Sequence, residues 1–301
     1  MTSERTTLED ISEGLASAAE RAGAWTVRVA ARRRIPATGV VWAEGGVVVT
    51  ADHVIEQEDE VVVGLPDGTE VAAQVVGRDP GSDLAVLRVA GATIAPAVRA
   101  QASARVGNLV LALGRPGAAV QASFGVVSAL GGPWRTRRGR QIDGFVRSDT
   151  TFFPGFSGGP LIDAAGRLLG INTSRFGPGQ GITIPTAAAE SVVAALLASG
   201  RIRRAYLGVG SQPVALPAAL AAKVGGQESG LLIVSLEAGT PADTAGLLMG
   251  DILVAMDGHP LTDAADLQGQ LGAERVGAQA AVRVLRGGEP LDIAVTLGER
   301  A

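Results

Sequence analysis

Pro154-Gly155-Phe156-Ser157-Gly158-Gly159-Pro160-Leu161 decides how the rest of this chain is read. Glycines around a serine leave backbone N–H groups free to approach an oxyanion as its charge develops. The hydroxyl itself is a poor nucleophile until an imidazole takes its proton and a carboxylate fixes that imidazole's tautomer. Both partners lie upstream: Thr50-Ala51-Asp52-His53-Val54-Ile55 supplies His53, and Gly81-Ser82-Asp83-Leu84-Ala85-Val86-Leu87 supplies Asp83. Each has an ordinary reading by itself. His53 would then be a surface or hydrogen-bonded histidine, Asp83 a turn residue after Pro80-Gly81, and Ser157 a glycine-loop filler. The order His, Asp, Ser with these flanks points instead to nucleophilic serine chemistry.

Gly155 to Gly159 as a lone Gly-x-Ser-x-Gly also fits the nucleophile elbow of an α/β-hydrolase, which needs an acid and then a histidine after the serine. His259 with Asp251 or Asp257 fills that order. However, Asp257-Gly258-His259-Pro260 has the composition of a tight turn, and the strands here lack the alternating helices of that fold.

Working outward, Leu8, Ile11, Leu15, Ala18 and Ala19 recur at three-to-four-residue spacing between Thr7 and Ala22, with Glu9, Asp10 and Glu13 early, where negative charge suits a helix N-terminus. From Trp25 the texture changes to short Val-rich runs broken by Gly, Pro and Asp. Strands are expected at 27–30, 39–42, 47–50, 60–64, 70–77, 84–89, 109–113, 123–130, 144–148, 161–162, 168–172 and 181–185. So many short strands with turn signals between them predict barrels or sandwiches. Thr186 to Ser199 reads as a closing helix stopped by Gly200, and Arg201-Ile202-Arg203-Arg204 as a linker. Beyond it, strands are expected at 230–236, 251–256, 280–286 and 291–297, and helices at 216–224, 242–247 and 263–271. The expected division is 1–24 as a helical segment, 25–200 as the serine-bearing domain, 201–205 as linker and 206–301 as a small α/β module.

Composition sets outer bounds. A length of 301 residues allows two or three compact cores, and 47% hydrophobic with 19% charged residues argues against disorder. A net charge of −4 gives no general affinity for nucleic acid or anionic membrane. Without cysteine there is no disulfide framework and no thiolate metal site. No stretch approaches the roughly 20 apolar residues of a membrane helix. If Met1 is the native start the expected compartment is the cytoplasm; if a leader was removed, it is the periplasm or cell envelope.

Taken together the segments resemble the HtrA/Deg family of trypsin-like serine proteases, which join a double β-barrel protease domain to one or two PDZ domains. GVVVTADHVI, VVGRDPGSDLAVLRV and PGFSGGPLID followed by GRLLGINT resemble its histidine, aspartate and serine segments, and GLLIVSLEAGTPADTAGLLMGDILVAMDG resembles its PDZ core. The resemblance implies a mainly β fold: an N-terminal helix, a double-barrel protease domain and one PDZ domain. It implies His53 as general base, Asp83 as its orienter, Ser157 as nucleophile, and the N–H groups of Gly155 and Ser157 as the oxyanion hole, with no metal or organic cofactor. Thr151, Ile182, Thr183 and Ile184 are expected at the specificity pocket, where no acid awaits a basic side chain, so cleavage after Val, Ala or Leu is expected. Tyr206, Leu207, Gly208 and Val209 resemble the loop that grips a peptide C-terminus.

The family further implies degradation of unfolded or damaged proteins, a homotrimer or larger homo-oligomer, and a relay of occupancy to the active site through the region corresponding to the arginine-rich loop 132–140. Such a loop is ordinarily just solvated; Arg135, Arg137, Arg138 and Arg140 are expected here to take part in that relay. One departure stands out. Phe156 occupies a position that is usually Asn in the family, and Thr150-Thr151-Phe152-Phe153 replaces a run typically bearing Ala, Ile and Asn. A latent chaperone or peptide-binding scaffold of the same fold is the alternative that this segment raises.

Overall fold

The structure, a computed structural model, describes residues 7–91, 93–136, 141–176 and 181–299. Two compact units divide the chain between Ile202 and Arg203.

The first unit opens with helix α1 (Thr7–Gly23). Its second half is anchored, with Ala18, Ala22 and Gly23 buried, while Leu8 and Ile11 in its first half are exposed, so the apolar stripe is only partly used within the chain. Six strands then close a first barrel: β1 (Thr26–Ala30), β2 (Ala37–Ala43), β3 (Val47–Ala51), β4 (Val62–Gly64), β5 (Glu70–Asp79) and β6 (Leu84–Val89), in the order β1-β2-β3-β6-β5-β4. All pairs are antiparallel. β2, β3 and β6 read as near-continuous apolar runs because both of their faces are covered.

A second barrel follows from β7 (Leu109–Gly114), β8 (Gln121–Gly131) and, beyond a short arm of β9 (Trp134–Arg135) and β10 (Gln141–Ile142), β11 (Phe145–Ser148), β12 (Pro160–Asp163), β13 (Leu168–Thr173) and β14 (Ile182–Pro185). Its order is β11-β14-β13-β12-β7-β8. Each barrel strand coincides with a run expected from the sequence, with ends moved by one or two residues. The arm was not expected, being too short to carry a period. Of the loop arginines, Arg137, Arg138 and Arg140 lie outside the described residues, as does the Arg135 side chain. Helix α2 (Thr186–Ser199) ends at Gly200, which adopts φ +72° and returns its N–H to the Leu196 carbonyl.

The second unit is a five-strand path with helices on it. It contains β15 (Ala205–Tyr206), β16 (Val209–Ala215), α3 (Ala218–Ala221), β17 (Ser229–Leu236), α4 (Pro241–Thr244), β18 (Ile252–Met256), β19 (His259–Pro260), α5 (Ala264–Gly269), β20 (Gln279–Arg286), β21 (Glu289–Thr296) and β22 (Gly298–Glu299). The main sheet runs β16-β17-β18-β20-β21, with β19 on β18, and β15 pairs with β22. Leu207, Leu231, Leu253, Met256, Leu261, Val282 and Val295 form its core. α4 is shorter than expected because Gly246, at φ +82°, turns the chain just after Ala245.

Candidate active site

His53 lies on a 3-10 turn (Asp52–Val54) at the end of β3. That turn is fixed by Arg78, whose Nε donates to Asp52 Oδ1 at 2.7 Å and whose Nη2 donates to the Asp52 carbonyl at 3.0 Å. Asp83 sits where β5 turns into β6, in a left-handed backbone conformation (φ +59°) that Asp tolerates better than most residues. Asp79 shapes this turn by accepting the N–H groups of Gly81 and Ser82.

The Asp83 carboxylate is fully buried and fully engaged. Oδ1 accepts the His53 backbone N–H at 3.0 Å, Oδ2 meets His53 Nδ1 at 2.8 Å, and Thr173 Oγ1 donates to Oδ2. The Arg175 guanidinium stands 3.9 Å from Oδ1. Such a carboxylate holds Nδ1 as the protonated nitrogen and leaves Nε2 as the lone-pair side of the ring.

Ser157 arrives from the second barrel, on the turn that precedes β12. Gly158 beside it has φ +83°, and a Cβ there would strike the Thr38 carbonyl and Thr50 Oγ1, so the serine turn can lie against β2 and β3 only with glycine in this place. Ser157 Oγ is hydrogen-bonded to Ser174 Oγ at 3.0 Å and makes no hydrogen bond to His53 in this state. Thr173 and Ser174, consecutive at the end of β13, thus touch the acid and the serine respectively.

Of the backbone donors in the turn, Phe156 N–H is given to the Phe153 carbonyl and Gly158 N–H to the Asn172 carbonyl. Among the described residues the N–H groups of Gly155 and Ser157 have no partner. These are the two donors assigned from sequence to an oxyanion hole. Phe156 does not approach them: its side chain is fully buried with Val110, Val127, Val146 and Leu161, meets the Phe153 ring edge-on at 5.4 Å, and lies so close to Gly114 that a Cβ there would penetrate the ring.

The expected pocket residues divide. Thr151 is exposed and its N–H bonds to Ser123 Oγ; Ile182, Thr183 and Ile184 are buried on β14, where Thr183 Oγ1 donates to Asn172 Oδ1 at 2.7 Å. The ring against Gly181 is that of Phe152, 2.7 Å from where a Cβ would stand. Thr173, Ser174 and Arg175 were missed in the sequence, and Phe152 was named there only as part of the run Thr150-Thr151-Phe152-Phe153, with Thr151 given for the pocket. Thr173 and Ser174 sit one and two residues past Asn172 in the strand already picked out, and that adjacency was the available signal.

In the second unit, Gly208 has φ +91° and rests on the Thr240 side chain, while the Leu207 and Gly208 carbonyls accept from Ala242 and Glu237. The N–H groups of Leu207 and Gly208 have no partner among the described residues. Tyr206 OH donates to Glu237 at 2.6 Å. Val209 begins β16, the edge strand of the main sheet, with α5 beside it. An edge strand next to a helix, entered through open N–H groups, is the geometry for adding an extended peptide by its C-terminus.

Two six-stranded antiparallel barrels, with an Asp–His pair on one and a glycine-flanked serine on the other, followed by a small edge-strand module, have the architecture of the trypsin-like serine peptidase class with an appended module. Residues 37–171 match the trypsin-like peptidase domain family and residues 206–297 the PDZ domain family. The chain is 32% identical to the HtrA-type protease AlgW in a structure with a tripeptide, covering 95% of this chain and 97% of that one at a TM-score of 0.71. A serine endoprotease from Yersinia pestis is 28% identical at a TM-score of 0.75, covering 95% and 98%. A probable periplasmic serine endoprotease, DegP-like, from Brucella suis biovar 1 (strain 1330) is 35% identical over 275 residues, which are 86% of this chain and 52% of the relative. The chain spans about half the length of the curated relatives it matches. It belongs to the HtrA-type serine proteases.

Proposed function

We propose that the chain is an ATP-independent serine endopeptidase that cleaves unfolded or damaged proteins and captures peptide C-termini on its PDZ domain. The observation that carries this reading is the fully engaged Asp83 carboxylate on His53 Nδ1, with Ser157 and two open N–H groups on the turn seated against β2 and β3. The substrate would bind extended. Ser157 Oγ leaves Ser174, passes its proton to His53 Nε2 and attacks the scissile carbonyl, whose oxygen takes the N–H groups of Gly155 and Ser157. His53 then protonates the departing amine, and water repeats the sequence on the acyl-enzyme.

Small or medium aliphatic residues are the proposed preference before the cut bond. The apolar Phe152 ring beside Gly181 supports this, and neither Thr151, Phe152 nor Ile182 offers an acid to a basic side chain. The relatives' periplasmic names support a periplasmic or envelope location. No helix among the described residues is long and apolar enough to cross a membrane.

The latent alternative draws on the Ser157–Ser174 contact, in which the nucleophile is not yet on its base. Turnover of unfolded casein by the wild type beside Ser157→Ala separates the readings. Cleavage by the wild type alone, with cuts mapped after Val, Ala or Leu, is expected. Binding of casein and C-terminal peptides without cleavage would establish the scaffold, and cuts mainly after Arg or Lys would overturn the proposed preference.

A further inference from the structure

Thr38, on β2 and fully buried, meets the serine turn at both residues whose N–H groups stay open. Its hydroxyl donates to the Gly155 carbonyl at 2.7 Å, and its backbone N–H donates to the Ser157 carbonyl at 3.2 Å. Its own carbonyl accepts from Thr50 Oγ1 at 2.7 Å, which ties the clamp to the strand leading into His53. The same hydroxyl accepts the Arg115 backbone N–H at 2.8 Å. With a lone pair occupied in that way, the remaining direction for the O–H proton is the Gly155 carbonyl.

Arg115 is itself unusual. Its guanidinium is buried and has no carboxylate partner among the described residues; burial pushes its pKa down. Nε donates to the Thr26 carbonyl at 2.7 Å, Nη1 to the Ala118 carbonyl at 2.5 Å and Nη2 to the Gly23 carbonyl at 2.8 Å. Gly23 is the last residue of α1, so the cation sits at the negative end of that helix. A buried charge satisfied by three carbonyls is a costly way to hold two segments together unless their geometry matters.

We propose that Thr38 and Arg115 are positioning residues for the oxyanion hole. Gly155, at φ +92° and without a side chain, is where a peptide could rotate most cheaply. Bonding the carbonyls of Gly155 and Ser157 to one residue pins that backbone from its far side; the backbone N–H of Arg115 holds the Thr38 hydroxyl in turn, and the Arg115 guanidinium fixes that backbone to the docked end of α1. The inference rests on the peptidase reading above.

The test is steady-state kinetics of the full chain carrying Thr38→Val, Thr38→Ser or Arg115→Met on a fluorogenic peptide, with rates normalised to the folded fraction measured by near-ultraviolet circular dichroism. Thr38→Val keeps the shape and the backbone N–H and deletes the hydroxyl. It should lower kcat by about 30- to 300-fold, near the loss of one oxyanion donor, with KM within about twofold. Thr38→Ser should recover kcat to within about threefold, because it restores the donor. Arg115→Met keeps the backbone N–H and should lower kcat by about five- to tenfold, an independent reading should Thr38→Val fold poorly. Normalised kcat of the Val and Met variants within about twofold of wild type, or a Ser variant no better than Val, overturns the proposal. An inert wild type overturns the peptidase reading and this inference with it; an active wild type matched by Thr38→Val overturns this inference alone.

Discussion

In the first barrel, His53 and Asp83 are held mostly by polar contacts from that same barrel: Asp83 accepts from His53 twice across 30 residues of chain, Arg78 binds Asp52 across 26, and Asp79 caps its own turn, with Thr173 adding one contact to Asp83 from the second barrel across 90. In the second barrel, Ser157 stands on a turn held from far away. Thr38 reaches Gly155 across 117 residues, and Phe156 anchors the turn by burying its ring beneath the barrel wall at Gly114. The base is therefore preorganised mainly by hydrogen bonds within its own barrel, and the nucleophile by packing and long-range clamps. Damage to the first should be chemical and sharp. Damage to the second should mix stability with activity.

Asp83→Asn is the strongest test of that contrast. Asn tolerates the left-handed backbone at this position, so the fold should survive with its midpoint of thermal unfolding little changed. The amide cannot accept from His53 N–H, His53 Nδ1 and Thr173 Oγ1 as the carboxylate does, and the imidazole loses its enforced tautomer. A fall in kcat of about 10³- to 10⁴-fold is expected. A loss under tenfold would mean that the buried pair does not set the state of the base.

Phe156→Ala probes the other side. Removing a fully buried aromatic ring should cost about 3–5 kcal/mol of unfolding free energy, read by urea denaturation, and should release the turn that carries Ser157. Phe156→Leu refills most of the volume and should recover much of both stability and activity. If Phe156→Ala remained stable and lost only activity, the ring would be acting on the oxyanion backbone directly, and the contrast between the barrels would narrow.

The same contrast explains what the sequence disclosed. His53, Asp83 and Ser157 were legible because each is flanked by a short local pattern, and the twelve barrel strands because their apolar runs are interrupted by turn residues. Thr38 looks like an ordinary strand residue that only the closed fold brings to the site, and Thr173 and Ser174 had only their adjacency to Asn172 to mark them. β16 escaped notice because Ser211, Gln212 and Pro213 break any strand pattern; as an edge strand it tolerates a proline that lacks an N–H. Phe152 was legible only as part of the unusual run Thr150-Thr151-Phe152-Phe153, and nothing in that run marks which of its residues meets Gly181.

Ser174→Ala carries the smallest expected effect and cuts between the two modes of support. Ser174 is exposed, and its bond to Ser157 Oγ competes with water. A net hydrogen bond of this kind is worth about 0.5–1.5 kcal/mol at most, and toward the lower end when solvent can replace it. If the contact merely parks the nucleophile away from His53, deleting it removes a resting-state interaction absent from the transition state. Then kcat should rise about two- to threefold with KM unchanged, or, if substrate binding already displaces the contact, the gain should appear as a KM lower by the same factor. A fall of tenfold or more would instead make the Ser174 hydroxyl an aligning partner for Ser157. In that case the end of β13, through Thr173 on the acid and Ser174 on the nucleophile, would serve both halves of the site, and the nucleophile would share the polar mode of support that distinguishes the first barrel.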